Sequence, residues 1–237
     1  MRKALLLVLL IVVAPLASAA MDYPKAADRY KRTLIRWAHY YDGLDATIPM
    51  YAAQIHQESA WRPNVSSPYA DGLTQFTPDT AEWIGSLYPE LREIDVFNPV
   101  WAIKAMIRYN NKLAEGLVAS DECNLKAMVL ASYNGGKGWI LRDKNLTEQN
   151  GFDRNVWWDN VENFSPRAKW AFEENRDYPR RILLEHQTLY ESWGGPLVCE
   201  EMIYGTNEDP PDLDSSGDSC DSFFSCIFTV GPWAARS

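Results

Sequence analysis

The sequence predicts a mainly α protein, and three observations carry that reading. Apolar side chains recur three and four positions apart over most of the stretch from Pro24 to Trp193. Thr-Pro and Asn-Pro steps stand where helices would begin, and paired glycines stand where helices would end. Alternating apolar and polar runs, the mark of half-buried strands, are nearly absent.

The elements follow in order. Pro24 to Tyr41 carries Ala26, Tyr30, Leu34, Trp37 and Tyr41 close to helical spacing. Ala46 to Ala60 has a stripe at Ile48, Tyr51, Ala52, Ile55 and Ser59, ended by Pro63. Val65 to Gln75 allows a short β-hairpin. Thr77-Pro78-Asp79 and Asn98-Pro99-Val100 each set a capping side chain before a proline, whose missing N–H costs a first helical turn nothing. The second opens an apolar helix through Trp101, Ile103, Met106, Ile107 and Leu113. Another helix runs from Ser120 or Asp121 to Tyr133 and stops at Gly135-Gly136. A last pair covers Pro166 to Glu174 and Pro179 to Trp193, closed by Gly194-Gly195.

The chain has 237 residues, 23 basic and 32 acidic, for a formal charge of −9. That balance argues against nucleic acid as a partner, since neutralising phosphates needs a basic surface. Arg2 and Lys3 precede an apolar run from Ala4 to Ala14 and the small-residue exit Ala17-Ser18-Ala19-Ala20. These are the parts of a secretory signal peptide over residues 1–20, and the run is short for a spanning helix. The expectation is export to the periplasm or beyond, with no stable membrane insertion after cleavage; an uncleaved anchor is the competing reading. Residues 21–205 are then the folded domain. From Thr206 the composition shifts to Asp, Ser, Pro and Gly, so 206–237 reads as an acidic, cysteine-containing tail.

Export makes disulfides plausible for Cys123, Cys199, Cys220 and Cys226. Four cysteines allow three pairings. The closeness of Cys220 to Cys226 in the tail favours that pair, which leaves Cys123 with Cys199. There is no C-x-x-C step and His39, His56 and His186 are scattered, so neither a metal nor a cofactor is expected.

Glu58 lies on the flank of the stripe formed by Ile48, Tyr51, Ala52 and Ile55. On a helix it points to the edge of the buried face, where partial desolvation raises a carboxyl pKa. By periodicity alone, a boundary glutamate bonded to its neighbours is the favoured reading. Its company suggests more. Glu58-Ser59-Ala60-Trp61-Arg62-Pro63 leads to Ser66-Ser67-Pro68 and then Asp71-Gly72-Leu73-Thr74-Gln75-Phe76-Thr77-Pro78-Asp79-Thr80-Ala81. Further on come Ala131-Ser132-Tyr133-Asn134-Gly135-Gly136-Lys137-Gly138 and Glu174-Asn175-Arg176-Asp177-Tyr178-Pro179-Arg180-Arg181-Ile182.

These segments resemble, in order, the catalytic elements of the soluble lytic transglycosylase (SLT) family. The resemblance implies a lysozyme-like, mainly α (α+β) fold, a single helical catalytic domain whose short hairpin lines the cleft. It implies peptidoglycan glycan strands as the partner and one glutamate for both proton transfers. Glu58 would protonate the glycosidic oxygen between N-acetylmuramic acid and N-acetylglucosamine. It would then take the proton from the muramic C6 hydroxyl as that oxygen closes on C1, leaving a 1,6-anhydro end without consuming water. A second carboxylate, usual in glycosidases, is not required.

By the same resemblance Ser67 would orient the acid, Gln75, Tyr133 and Asn134 would line the sugar cleft, and the Tyr178 hydroxyl would face Glu58. Residue by residue, a turn serine, a helix-ending asparagine and a core tyrosine are the plainer readings. Thr74 stands where the family has methionine, Gly135 where it has alanine and Pro179 where valine is common. Of the ten tryptophans, Trp101 and Trp170 read as core and Trp157-Trp158 as the better cleft candidates. Two other functions fit less fully: a goose-type lysozyme-like hydrolase in which Asp71 positions a water, and a non-catalytic wall-binding or lysis-accessory protein.

Overall fold

Helix α1 (Asp28–Asp42) follows a 3₁₀ turn at Lys25–Ala27 and buries Tyr30, Leu34 and Ala38. In the computed structural model, residues 23–205 are described; the signal segment 1–20, the acidic tail from 206 and the Cys220–Cys226 pairing lie outside them. Helix α2 (Ile48–Ser59) is the central element. Every residue from Ile48 to Ile55 is buried, because other elements pack around all of its faces. It ends where Ala60 and Trp61 both turn to positive φ, a local cost offset by burying the Trp61 indole against Tyr190 and Trp193.

The expected hairpin is not a pair of strands. Among the described residues the loop from 65 to 76 holds only two isolated antiparallel bridges, Ser66 with Asp71 and Asp71 with Phe76. The chain turns too tightly for a ladder. Gly72 has φ +81° and lies against Val96, whose carbonyl oxygen would stand 1.9 Å from an added Cβ. Gln75 is also at positive φ.

Side-chain caps start the next three helices. Thr77 accepts from the Thr80 amide at α3 (Pro78–Leu87), and Asn98 accepts from the Val100 and Trp101 amides at α4 (Pro99–Ala114). Asp121 accepts from the Asn124 amide at α5 (Glu122–Gly135). Helix α6 (Lys137–Gln149) was not legible as a helix. Its buried positions are Ile140, Asp143, Lys144 and Thr147, a helical stripe written mostly in polar residues, which apolar periodicity does not register.

The expected last pair of helices is one bent rod. It runs as α7 (Lys169–Arg180), a π turn (Arg181–Glu185) and a 3₁₀ stretch (His186–Trp193). Pro179 sits inside α7, where its missing N–H and its ring disturb the preceding turn, and the wider π turn follows directly. The rod packs along α2 and against α5, while α4 bridges α1 and α5. The chain closes with α8 (Glu200–Tyr204).

The Cys123–Cys199 disulfide ties the start of α5 to the start of α8, with Cα atoms 4.8 Å apart. Trp157 and Trp158 are buried, not cleft residues. The Arg176 guanidinium stacks on the first and that of Arg180 on the second. Trp101 is buried as expected, but Trp170 is 72% exposed rather than part of the core. No helix among the described residues is long and apolar enough to cross a membrane.

Candidate active site

Helix α2 brings Glu58, half-buried, to the floor of a recess of about 230 Å³. The rod supplies the opposite wall through Glu174, Asp177, Tyr178 and Arg181, and Asn134 at the end of α5 closes one side. Burial pushes the Glu58 pKa up to about 8; the Tyr178 hydrogen bond opposes that and the Glu174 charge adds to it. Below that value the carboxyl holds a proton.

The direction of that proton follows from a chain of hydrogen bonds. Asn110 Nδ2 donates to Gln54 Oε1 at 2.6 Å, which orients the Gln54 amide. Gln54 Nε2 then donates to the Tyr178 hydroxyl at 3.3 Å, and that hydroxyl donates its only proton to Glu58 Oε1. With Oε1 occupied as an acceptor, the acidic proton of Glu58 sits on Oε2. Gln54 and Tyr178 are buried, so no bulk water competes for these bonds.

Tyr133 stacks nearly parallel to Tyr178, rings 6.5 Å apart, and donates its hydroxyl to the Thr74 carbonyl at 2.7 Å. Its phenol is held well above the ordinary tyrosine range, first by burial and then by the Glu58 charge. It stays neutral and backs Tyr178, without itself lining the recess. Asn134 is exposed at the mouth, where its Oδ1 accepts from Asn175 Nδ2 at 3.0 Å.

Ser67 and Gln75 are placed differently from Glu58, Asn134 and Tyr178. The Ser67 hydroxyl accepts from the Tyr69 and Ala70 amides and donates to the Ala70 carbonyl, bonds internal to its own turn. Gln75 Nε2 donates to the Val65 and Gly72 carbonyls at 3.2 and 2.9 Å. Both side chains shape the loop after α2, and neither lines the recess. Asp71 does not line it either. Thr74 is 1% exposed and turned into the core.

Gln54, Asn110 and Glu174 had no assigned role in the sequence reading. For Gln54 a signal existed: it is the one long polar side chain in the buried part of α2, one helical turn before Glu58. Nothing in sequence spacing relates Asn110 to either.

Beneath the rod lies a buried ionic network. Asp143 is fully buried and accepts from Arg176 Nη2 at 2.8 Å and from the Ser165 hydroxyl at 2.8 Å. Arg176 also donates to the Val161, Glu162 and Phe164 carbonyls and to Asn175 Oδ1. It thereby holds the irregular segment between α6 and α7 and orients Asn175, the partner of Asn134.

Residues 43–156, which include Glu58, Tyr133 and Asn134, match the family model described as the transglycosylase SLT domain. Over that stretch the chain is similar to the SLT family. Its mainly helical architecture is that of the lysozyme-like class to which this domain belongs. The chain is 31% identical over 133 residues to a protein from Shewanella sediminis named membrane-bound lytic murein transglycosylase F, covering 55% of this chain and 25% of that one. Proteins of the same name from Vibrio parahaemolyticus and Vibrio cholerae are 28% and 30% identical over 192 and 184 residues. Those matches cover 76% and 73% of this chain and 34% and 33% of the relatives. The chain thus spans a quarter to a third of the length of these curated relatives.

Proposed function

We propose that this SLT domain is a peptidoglycan lytic transglycosylase that cleaves the β-1,4 bond between N-acetylmuramic acid and N-acetylglucosamine without water. One observation carries the reading: a glutamate on the floor of a recess, its pKa raised to about 8 chiefly by burial, with one oxygen held by a buried tyrosine. Glu58 donates the Oε2 proton to the leaving oxygen. The resulting carboxylate, stabilised by the Tyr178 hydrogen bond, accepts the C6 hydroxyl proton as the 1,6-anhydro ring closes. A group with a pKa near the working pH serves well in both roles.

Asn134 provides an amide for the substrate's N-acetyl or hydroxyl groups, Tyr178 walls the cleft with Tyr133 stacked against it, and Gln75 and Ser67 support its loop. No cofactor is needed. Export behind the 1–20 signal would bring residues 21–205 to the wall, and the names of the relatives place those proteins at the cell envelope.

The test is mass spectrometry of soluble products from purified peptidoglycan treated with protein from Met21 onward, beside a Glu58→Gln sample. Products one water lighter than hydrolysed muropeptides, absent with Glu58→Gln, are expected. Hydrated reducing ends would replace this reading with a hydrolase. No release with retained binding would replace it with a wall-binding protein.

A further inference from the structure

The acid's recess continues past Asn134 and Glu174. Both residues also line a second recess of about 400 Å³, between the end of α5 and the start of α7, walled by Trp139, Arg167 and Trp170. The Arg167 side chain is only 6% exposed, yet its Nε and Nη2 are buried without a hydrogen-bond partner. Leaving such donors unpaired is costly, so a buried guanidinium in this state at a cavity wall is a feature to explain. Its nearest carboxylate, Asp143, is 3.7 Å away and already accepts from Arg176 and Ser165. Asp143, Arg167 and Arg176 together therefore carry an excess positive charge, in a chain whose formal charge is −9.

Gly135 is part of the same arrangement. It stands where the SLT resemblance has alanine, and its backbone does not require glycine, since its φ is not positive. A Cβ there would come within 2.3 Å of Arg167 Nη1 and 2.7 Å of Asn175 Nδ2. The missing methyl is what lets the guanidinium reach the cleft wall. Trp139 lies under that guanidinium at 5.3 Å, and Trp170 is 72% exposed at the rim.

We infer that this second recess receives a carboxylate carried on an arm of the substrate, bound by Arg167, while the indoles of Trp139 and Trp170 cover the arm's apolar part. The inference rests on the peptidoglycan reading. The muramic sugar bears a lactyl arm that ends in a carboxylate when bare and in a carboxylate-bearing peptide when substituted. Glu174, at the mouth shared with the acid's recess, repels an anion from that end and leaves the Arg167 end for it.

Binding is measured by calorimetry on Glu58→Gln protein with three tetrasaccharide probes: chitotetraose, the bare alternating muramic oligomer and the same oligomer with stem peptides. Adding Arg167→Met is expected to weaken carboxylate-bearing probes about tenfold while changing chitotetraose less than about twofold. Loss with both muramic probes assigns the lactyl carboxylate, and loss with the peptide-bearing probe alone assigns the stem. An equal loss on all three, or none, overturns the inference. Thermal melting checks the fold. Should Arg167→Met melt early, Trp170→Ala carries the test at an exposed position, with loss expected for the peptide-bearing probe and a uniform loss overturning it. Product release by the enzyme with Glu58 intact is scored separately. No anhydro products with the binding pattern present removes the lyase reading and keeps the subsite; anhydro products with a uniform Arg167→Met effect does the reverse.

Discussion

Tyr178 donates its hydroxyl proton to Glu58 Oε1 across 120 positions of sequence, while its oxygen accepts from Gln54 Nε2. The acid's own proton is thereby confined to Oε2. Tyr178→Phe removes that constraint and also removes a bond that favours the carboxylate. Its kcat is expected to fall about tenfold, in the range of one lost positioning hydrogen bond. The alkaline limb of its pH–rate profile is expected to move to higher pH. An unmoved limb would count against the assignment.

Gln54 acts on the acid only through Tyr178, so it is a positioning residue. Gln54→Leu keeps the volume but frees the Tyr178 hydroxyl to rotate and leaves the Asn110 amide unpaired. A fall in kcat of roughly fivefold to tenfold with little change in KM is expected, together with a stability loss of about 1–3 kcal/mol. A purely structural role would lower stability and leave kcat per folded molecule intact, which urea titration beside initial rates distinguishes.

The raised Glu58 pKa also sets a pH dependence of stability. A carboxyl whose folded pKa, about 8, exceeds its ordinary value of 4.5 contributes stability that is fully present below the unfolded value and lost as pH rises through the folded one. The protein is therefore expected to weaken between about pH 5 and 9, and Glu58→Gln, which cannot ionise, to weaken less. The difference between the two should grow by about 4 kcal/mol over that window, on the order of 8–16 °C in Tm for a chain of this size. Melting curves at pH 5, 7 and 9 on both proteins read it directly.

Breaking the buried ion network should be far more damaging than losing any surface pair. Arg176→Met strands the Asp143 carboxylate at zero exposure and releases three backbone carbonyls. A loss of about 3–5 kcal/mol is expected in urea titration. Arg154→Met, whose pair with Glu148 is solvent-exposed, should cost under about 1 kcal/mol.

Reduction of the Cys123–Cys199 bridge opens a loop closed over a sequence separation of 76. Replacing both cysteines by serine should cost about 2–4 kcal/mol. Limited proteolysis should then cut first between Gly194 and Gly205, because the bridge is the covalent anchor of that segment.

Sequence alone was enough for the helical class, since turn chemistry and the apolar stripes of α2 and α4 are local properties. Caps at Thr77, Asn98 and Asp121 lie where the side-chain types placed them. Glu58 was legible as a flank carboxyl for the same reason, because a helical period relates it to its own neighbours. Local pattern failed where burial is polar or where distant segments meet. Helix α6 hides its buried face in Asp143, Lys144 and Thr147, and the partners of the first two come from other elements. Trp157 and Trp158 looked like cleft residues until the arginines of α7 covered them. The direction of the Glu58 proton was decided only by tertiary structure, for it depends on Asn110, Gln54 and Tyr178 meeting in one line from three helices. A hydrogen bond needs its donor and acceptor within about 3 Å, and no spacing along the chain encodes that meeting.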